Sequence, residues 1–308
     1  MKVSIIILNW NRKKDTVECL ESIGKLQTSG FELEIVVVDN ASSDGSQKAV
    51  EQIFKKITKK DMSCKQILNE ANLGFAAGNN VGMKYALDSG ADYLLVLNND
   101  TEVDKGLVGK LLEVANKHPK AGAMSPKIYF AKGFEFHKSR YKSKDLGKVF
   151  WYAGGDMDWD NVYGSNYGVD EVDKGQYEKT RTTDFTTGAC VLLKGKALKD
   201  VGLFDEKYFM YLEDADLSQR LKKKGWEVIY TPKTKIWHKV AQSSGIGSNL
   251  NDYFITRNRL LFGMRYAKCR TKFALVRESF KLLTIGRKWQ KLGVRDFYLG
   301  RFGKGSWK

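Results

Sequence analysis

The sequence predicts an α/β protein with a mostly parallel sheet flanked by helices. Over residues 1–118, short aliphatic runs alternate with segments whose apolar residues recur at helical spacing. Three of the runs also stop abruptly on polar clusters. Residues 3–8 lead into Asn9, Trp10, Asn11 and Arg12, residues 35–38 into Asp39, Asn40 and on to Gly45, and residues 94–97 into Asn98, Asn99 and Asp100. Ligands in open α/β sheets sit beyond the carboxyl ends of strands, so these tips are where chemistry is expected. Turn and cap preferences explain one Asn/Asp cluster, but three at successive strand ends exceed what turns require.

The elements follow in order. After the first strand, residues 15–26 set Val17, Leu20 and Ile23 on one helical face, and after the second, residues 46–57 do so with Val50, Ile53, Phe54 and Ile57. A short strand at 65–68 precedes a helix at 75–88. The strand at 94–97 precedes a helix carrying Leu107, Val108, Leu111, Leu112 and Ala115. Residues 119–188 are rich in glycine and aromatics, with a polar stretch at 161–183, and read as loops and short strands lining a surface. Regularity returns with a strand at 189–193, a helix at 214–224 with Leu217 and Leu221 inward, and a strand at 227–230 stopped by Pro232. Farther on, Phe273, Val276, Phe280 and Leu283 share a helical face beside Arg277, Lys281 and Lys288. Such a helix suits a membrane interface, or packs back onto the domain with its charges solvated.

Composition narrows the class. A chain of 308 residues, 42% hydrophobic, can bury a substantial core. Its net charge of +16 is concentrated at the end: residues 251–308 carry 15 Lys or Arg against 3 acids, a surplus of +12. Partners for that charge are nucleic acid or an anionic membrane surface. No nucleic-acid reading motif accompanies it, so nucleic acid is the unlikely one. Cys19, Cys64, Cys190 and Cys269 are scattered without a Cys-x-x-Cys pair, which disfavours a zinc ribbon or disulfide framework and fits a reducing cytoplasm. The first apolar run is too short for a signal-peptide core, and no stretch approaches the roughly 20 apolar residues of a membrane span. The expected location is cytoplasmic, peripheral at the inner face of the cell membrane.

Two further groups carry chemistry. Glu213, Asp214 and Asp216 place three carboxylates in four residues, a repulsive arrangement that needs a cation, a helix N-terminus or a functional role to offset it. His238, after the last strand signal, offers an imidazole able to complete an oxygen-rich divalent-cation site.

Together these residues resemble the family-2 inverting glycosyltransferases, and most of all their rhamnosyltransferase-like branch. The matching stretches, in order, begin at Asn9 to Arg12, Val38 to Gly45, Asn72 to Asn79, and Leu97 to Asp100. They continue at Trp151 to Gly155, Thr187 to Ala189, Gly202 to Asp205, Tyr211 to Asp216, Trp237–His238, and Tyr253 to Arg259. The resemblance implies a GT-A fold, with a nucleotide-sugar-binding half (1–118), an acceptor-binding and catalytic half (119–245) and a basic helical extension (246–308). It implies Asp214 as general base, with Glu213 and Asp216 orienting the base or the acceptor and Gly154, Gly155, Thr187 and Gly188 beside them. Asn9, Asn11, Asp39, Asn72, Gly78, Asn98 and Asn99 would bind the nucleoside-diphosphate sugar. Asp100 and His238 would hold Mg²⁺ or Mn²⁺.

The implied reaction moves a sugar, rhamnosyl in that branch, to a hydroxyl of a lipid-linked or polysaccharide acceptor. One departure matters: Asn98 stands where the family's first Asp is usual, which removes a negative charge and predicts weak metal binding before the donor arrives. A nucleotidyltransferase is disfavoured because no glycine-rich loop follows the first strand. The remaining alternative is a basic nucleic-acid-binding or membrane-associated scaffold without transferase activity.

Overall fold

The structure, a computed structural model, describes residues 1–240 and 248–307; the boundary expected at 245/246 lies outside them. The chain opens with β1 (Lys2–Asn9), α1 (Lys13–Ile23), β2 (Glu32–Asp39), α2 (Ser46–Ile57), β3 (Met62–Leu68), α3 (Gly74–Asp88) and β4 (Tyr93–Asn98). Next come β5 (Thr101–Val103), α4 (Leu107–Lys117), β6 (Ala121–Phe130), β7 (Phe150–Tyr152), β8 (Gly155–Asp158), β9 (Tyr163–Asn166) and β10 (Arg181–Thr182). The rest is β11 (Cys190–Lys194), α5 (Gly195–Val201), α6 (Glu213–Lys223), β12 (Glu227–His238), α7 (Asn249–Tyr266), α8 (Cys269–Ile285) and α9 (Lys288–Tyr298).

One sheet joins both expected halves, in the order β10-β12-β6-β11-β4-β1-β2-β3, with β5 added to β12 and β7 to β6. β4, β1, β2 and β3 are parallel, and β11 runs antiparallel between β4 and β6. The aliphatic runs of β1, β2 and β4 are buried on both faces, as strands covered by helices on each side must be. α3 lies unusually close to the sheet, because a side chain at Gly82 would meet Ile6 at 2.7 Å and one at Gly78 would meet Leu8 at 2.6 Å.

Two expectations fail at prolines. Residues 119–188 are not all loop and short strand: Ala121–Phe130 is a ten-residue strand, buried throughout. Gly122 and Pro126 disguise it. Its buried Lys127 is met by Asp173 at 2.7 Å and by Glu178, which makes a charge tolerable inside the sheet. Nor does Pro232 stop the last strand at 230. β12 pairs with β6 up to Thr231 opposite Pro126, loses register, and resumes with Lys235 opposite Lys127. Both prolines sit at this irregularity, where no ladder amide is required. The continuation carries His238 to the site.

The extension folds back as helices, but not by its apolar stripe. Thr271, Leu275 and Ser279 are the buried residues of α8, whereas Phe273 is 76% exposed and Phe280 58%. α7 contacts the body through Phe254, which stacks on Phe209 at 5.0 Å, while Tyr253 packs within the extension against Trp289 and Trp307.

Candidate active site

Strand register brings the first two polar tips together. Asn9 pairs with Asp39 across β1 and β2, and Leu8 pairs with Asn98 across β1 and β4. Asn9 is fully buried and joins all three tips. Its Nδ2 donates to Asp39 Oδ2 at 2.7 Å and Ser42 Oγ at 3.0 Å, while its Oδ1 accepts from Thr16 Oγ1 at 2.7 Å and Asn99 Nδ2 at 3.2 Å. Asp39 Oδ1 accepts from Ser42 N at 2.8 Å and Gln47 Nε2 at 3.1 Å. These side chains organise the tips from within. Asn11, with a left-handed backbone (φ 52°), accepts at Oδ1 from Ser43 N at 2.8 Å and so ties the first loop to the second.

The third tip meets the end of β12. Pairing of β5 with β12 sets His238 opposite Thr101, next to Asp100, and Lys239 N donates to the Asp100 carbonyl at 2.8 Å. His238 Nε2 stands 3.0 Å from Asp100 Oδ1, within ion-pair range. The contact lacks hydrogen-bond alignment, so Asp100 Oδ1, and likewise His238 Nδ1, is buried without a hydrogen-bond partner. The Trp151 ring packs edge-on against the imidazole at 4.7 Å and fixes its plane. Burial opposes ionisation of Asp100, but His238 and then Arg12 outweigh it and hold the carboxyl below its usual range.

This arrangement fits a divalent ion. Adjacent ligands of an octahedral ion at about 2.1 Å stand about 3 Å apart, the separation these two groups show. Among the described residues no group of three His, Cys, Asp or Glu side chains forms a cage. An ion bound here would need oxygens from elsewhere, as Mg²⁺ takes them from substrate phosphates and water.

Asp214 reaches the same end of the sheet by another route. The turn before β11 places Ala189 O against Asn98 N at 3.0 Å, and the preceding Gly188 N donates to Asp214 Oδ2 at 2.9 Å. Asp214 is the second residue of α6, where the helix dipole favours a carboxylate, and its Oδ1 accepts from Ala215 N at 2.8 Å. Burial raises the pKa of both Glu213 and Asp214, with Asp214 and Asp216 adding repulsion at Glu213. The two differ in support. Glu213 Oε2 is buried without a hydrogen-bond partner, whereas both Asp214 oxygens accept amide protons. A proton held by the pair therefore sits on Glu213, and Asp214 keeps the negative charge. A cavity of about 260 Å³ opens beside them, lined among others by Tyr163, Phe185, Tyr211, Ile255 and Arg259.

Several expected site residues have other work. Asp216 is fully buried and accepts from Arg265 Nη1 at 2.9 Å, Tyr266 OH at 2.7 Å, Tyr208 OH at 3.2 Å and Arg220 Nε at 2.7 Å. It ties α6 to α7 rather than orienting base or acceptor. Gly78 faces Leu8 and the Asn40 amide, a packing position. Gly155 sits where a side chain would meet Phe185 at 2.5 Å and so backs the cavity wall, whereas Gly154, at φ +97°, lies against Tyr167 and Tyr230. Asn72 Oδ1 accepts from Gly74 N at 2.9 Å and Asn40 Nδ2 at 3.2 Å at the start of α3. Thr187 is buried in the turn that presents Gly188.

The sequence reading gives no separate role to Arg257 and Asn258, and the structure does. The segment before α6 has left-handed backbone at Phe209, Tyr211 and Leu212 (φ 62°, 69° and 70°), costly for side-chain-bearing residues. Asn258 Nδ2 donates to the carbonyls of Tyr208, Met210 and Tyr211 at 2.9, 2.7 and 3.0 Å. The fully buried Arg257 donates to those of Tyr208 at 3.0 Å, Lys207 at 3.2 Å and Gly303 at 2.7 Å. On the opposite side Phe209 O accepts from Phe75 N and Ala76 N at the start of α3, at 2.6 and 3.0 Å. A polar Arg–Asn pair inside an aromatic helix face was the available signal.

Comparison with known proteins bears on the family and the fold. A curated N-acetylglucosaminyl-diphospho-decaprenol L-rhamnosyltransferase from Mycobacterium tuberculosis is 29% identical over 219 residues, 68% of each chain. A poly-beta-1,6-N-acetyl-D-glucosamine synthase from Staphylococcus epidermidis is 26% identical over 245 residues, 79% of this chain and 51% of the synthase. The fold matches a mannosyltransferase from Pyrobaculum calidifontis, solved with GDP-Man and Mn²⁺, at a TM-score of 0.55 and 15% identity, over 97% of this chain and 74% of that one. It also matches S. aureus TarS in complex with UDP-GlcNAc, at 0.55 and 16%, over 96% and 79%. The architecture is thus GT-A. Residues 4–202 match the family described as Glycosyl transferase family 2, to which this chain belongs and which makes it a glycosyltransferase.

Proposed function

We propose that the chain moves a sugar from a nucleoside diphosphate to a hydroxyl of a lipid-linked or polysaccharide acceptor, at the cytoplasmic face of a membrane and with inversion. The rhamnosyltransferase relative favours rhamnosyl as the sugar. The observation that carries the reading is the convergence of Asp214, pinned by Gly188, on the strand tips that bear Asp100.

Asp214 acts as the base. Each of its oxygens accepts one amide proton and retains a lone pair, so the carboxylate can accept the proton of an acceptor hydroxyl lodged in the adjoining cavity. Glu213, kept neutral, leaves Asp214 the one charged carboxylate of the pair. The aromatic lining of the cavity, Tyr163, Phe185 and Tyr211, suits the face of a sugar ring and excludes water. On the donor side the 9–12 and 39–45 loops, tied by Asn9, Asn11 and Asp39, frame the nucleotide, with Asn98 and Asn99 at the third tip. Asp100 and His238 would hold Mg²⁺ or Mn²⁺, which when bound offsets charge on the departing diphosphate.

The test is product analysis after incubation with dTDP-, UDP- and GDP-sugars. A glycoside whose anomeric configuration is opposite to that of the donor supports the reading, and a retained configuration refutes it.

A further inference from the structure

The outer face of α8 is built to meet something. Phe273, Val276, Phe280 and Leu283 form one stripe along the helix, and Phe273, Phe280 and Leu283 are 76%, 58% and 37% exposed. The stripe continues onto α9, where the half-exposed Tyr298 ring stacks 5.9 Å from Phe280. Arg270, Arg277 and Lys281 are exposed along the adjoining edge, and Lys288 follows at the start of α9. Acids do not balance them. The acids of α8 and α9 are Glu278 and Asp296, the first bound by Arg259 at 2.8 and 3.0 Å, the second buried beneath Tyr253 and Ser306.

We infer that this face seats the protein on an anionic lipid bilayer, the phenylalanines entering the headgroup boundary and the basic edge lying over lipid phosphates. Charge decides the occupant. A second copy docking through the same face would set Arg270, Arg277 and Lys281 against their own counterparts, a repulsive pairing. An anionic bilayer supplies both the hydrocarbon for the stripe and the phosphates for the edge. No described helix is long and apolar enough to cross a membrane.

The clefts point the same way. The cavity beside Asp214 shares Tyr163, Ile255 and Arg259 with a second, of about 400 Å³, that opens among α7, α8 and α9 and reaches Leu282 and Arg287. The route from the base therefore passes beneath the helix that carries the lipid-facing stripe. An acceptor held in the membrane would reach Asp214 along it, a corollary that rests on the transferase reading, whereas the bilayer contact itself does not.

The experiment is co-sedimentation of the full chain with vesicles, which needs no turnover and so fails or succeeds apart from the transferase reading. The protein should pellet with vesicles of phosphatidylglycerol and phosphatidylcholine, much less with phosphatidylcholine alone, and less in high salt. Phe273→Ser with Phe280→Ser should weaken binding about tenfold per residue. Arg270→Gln, Arg277→Gln and Lys281→Gln together should weaken it about a hundredfold. Nucleotide binding and melting temperature, unchanged in both variants, would confirm that the fold is intact. Absence of binding to anionic vesicles, or binding indifferent to both variants, overturns the inference. So does self-association without vesicles that Phe273→Ser with Phe280→Ser abolishes, or preferential binding of nucleic acid by the same face.

Discussion

The amide of Gly188 holds Asp214 by a 2.9 Å hydrogen bond to Oδ2, and the neighbouring Ala189 carbonyl accepts from Asn98. The base thus hangs from the strand that abuts the tip of β4, so donor and acceptor sides of the site share one rigid reference. A side chain at Gly188 would stand 2.9 Å from Phe75 and 3.7 Å from Asp214 Oδ2. Gly188→Ala should lower kcat about tenfold by shifting the carboxylate, with nucleotide affinity held. Steady-state kinetics beside nucleotide titration separate the two.

The two-residue metal site predicts ordered binding. With Asp100 and His238 the ligands at hand and Asn98 contributing no charge, Mn²⁺ should bind the bare protein weakly and tightly only with nucleoside diphosphate present. Calorimetric titration with and without nucleotide measures this. His238→Ala should remove most of the enhancement, and tight binding to the bare protein would contradict the scheme.

Asn258 is predicted to act through the loop it holds. Asn258→Ala frees the Met210 and Tyr211 carbonyls at a segment of left-handed backbone, while the Tyr208 carbonyl keeps Arg257, and should cost about 1–3 kcal/mol, a fall of about 2–4 °C in melting temperature per kcal/mol. kcat should drop further than stability alone explains, because Glu213 and Asp214 follow that segment directly. Asn258→Asp, which retains the shape and loses the donors, should behave like the alanine variant.

Glu213 gives a pH signature. Its pKa is raised in the folded state by burial and by the neighbouring carboxylates, so its ionisation favours unfolding. Its contribution to stability is full below the ordinary glutamate pKa and is lost as pH rises through the elevated folded value. Glu213→Gln does not titrate. The melting temperature of the variant should therefore gain on that of the wild type across this window, by about 2–4 °C for each kcal/mol of ionisation cost. Thermal melts at stepped pH record the gap.

What was legible in the sequence was what local pattern encodes. Aliphatic runs ending at Asn9, Asp39 and Asn98 marked the strands, and the tips do converge, because parallel register aligns them. Helix 46–57 formed over the residues its spacing indicated. Pattern failed where tertiary structure supplied what the local sequence lacks. Lys127 lies in a buried strand because Asp173 and Glu178, some fifty residues away, meet its charge, and β12 survives Pro232 through a register shift opposite Pro126. Asp216 looked like its neighbours, yet Arg220 and Arg265 claim it. The stripe of α8 was visible as a helical face, but its outward direction depended on Thr271, Leu275 and Ser279 being the buried face, with Leu275 against Gly263 of α7 and Ser279 bonded to Tyr298 of α9.

The central claim is that Asp214 accepts the acceptor's proton, and Asp214→Asn tests it most directly. The amide keeps the size of the side chain and, at most, one of its two acceptor oxygens, but cannot take the proton. Sugar transfer should fall by about two to four orders of magnitude while nucleotide and Mn²⁺ binding remain as in the wild type. Transfer at the wild-type rate by a folded, nucleotide-binding Asp214→Asn variant would contradict the account.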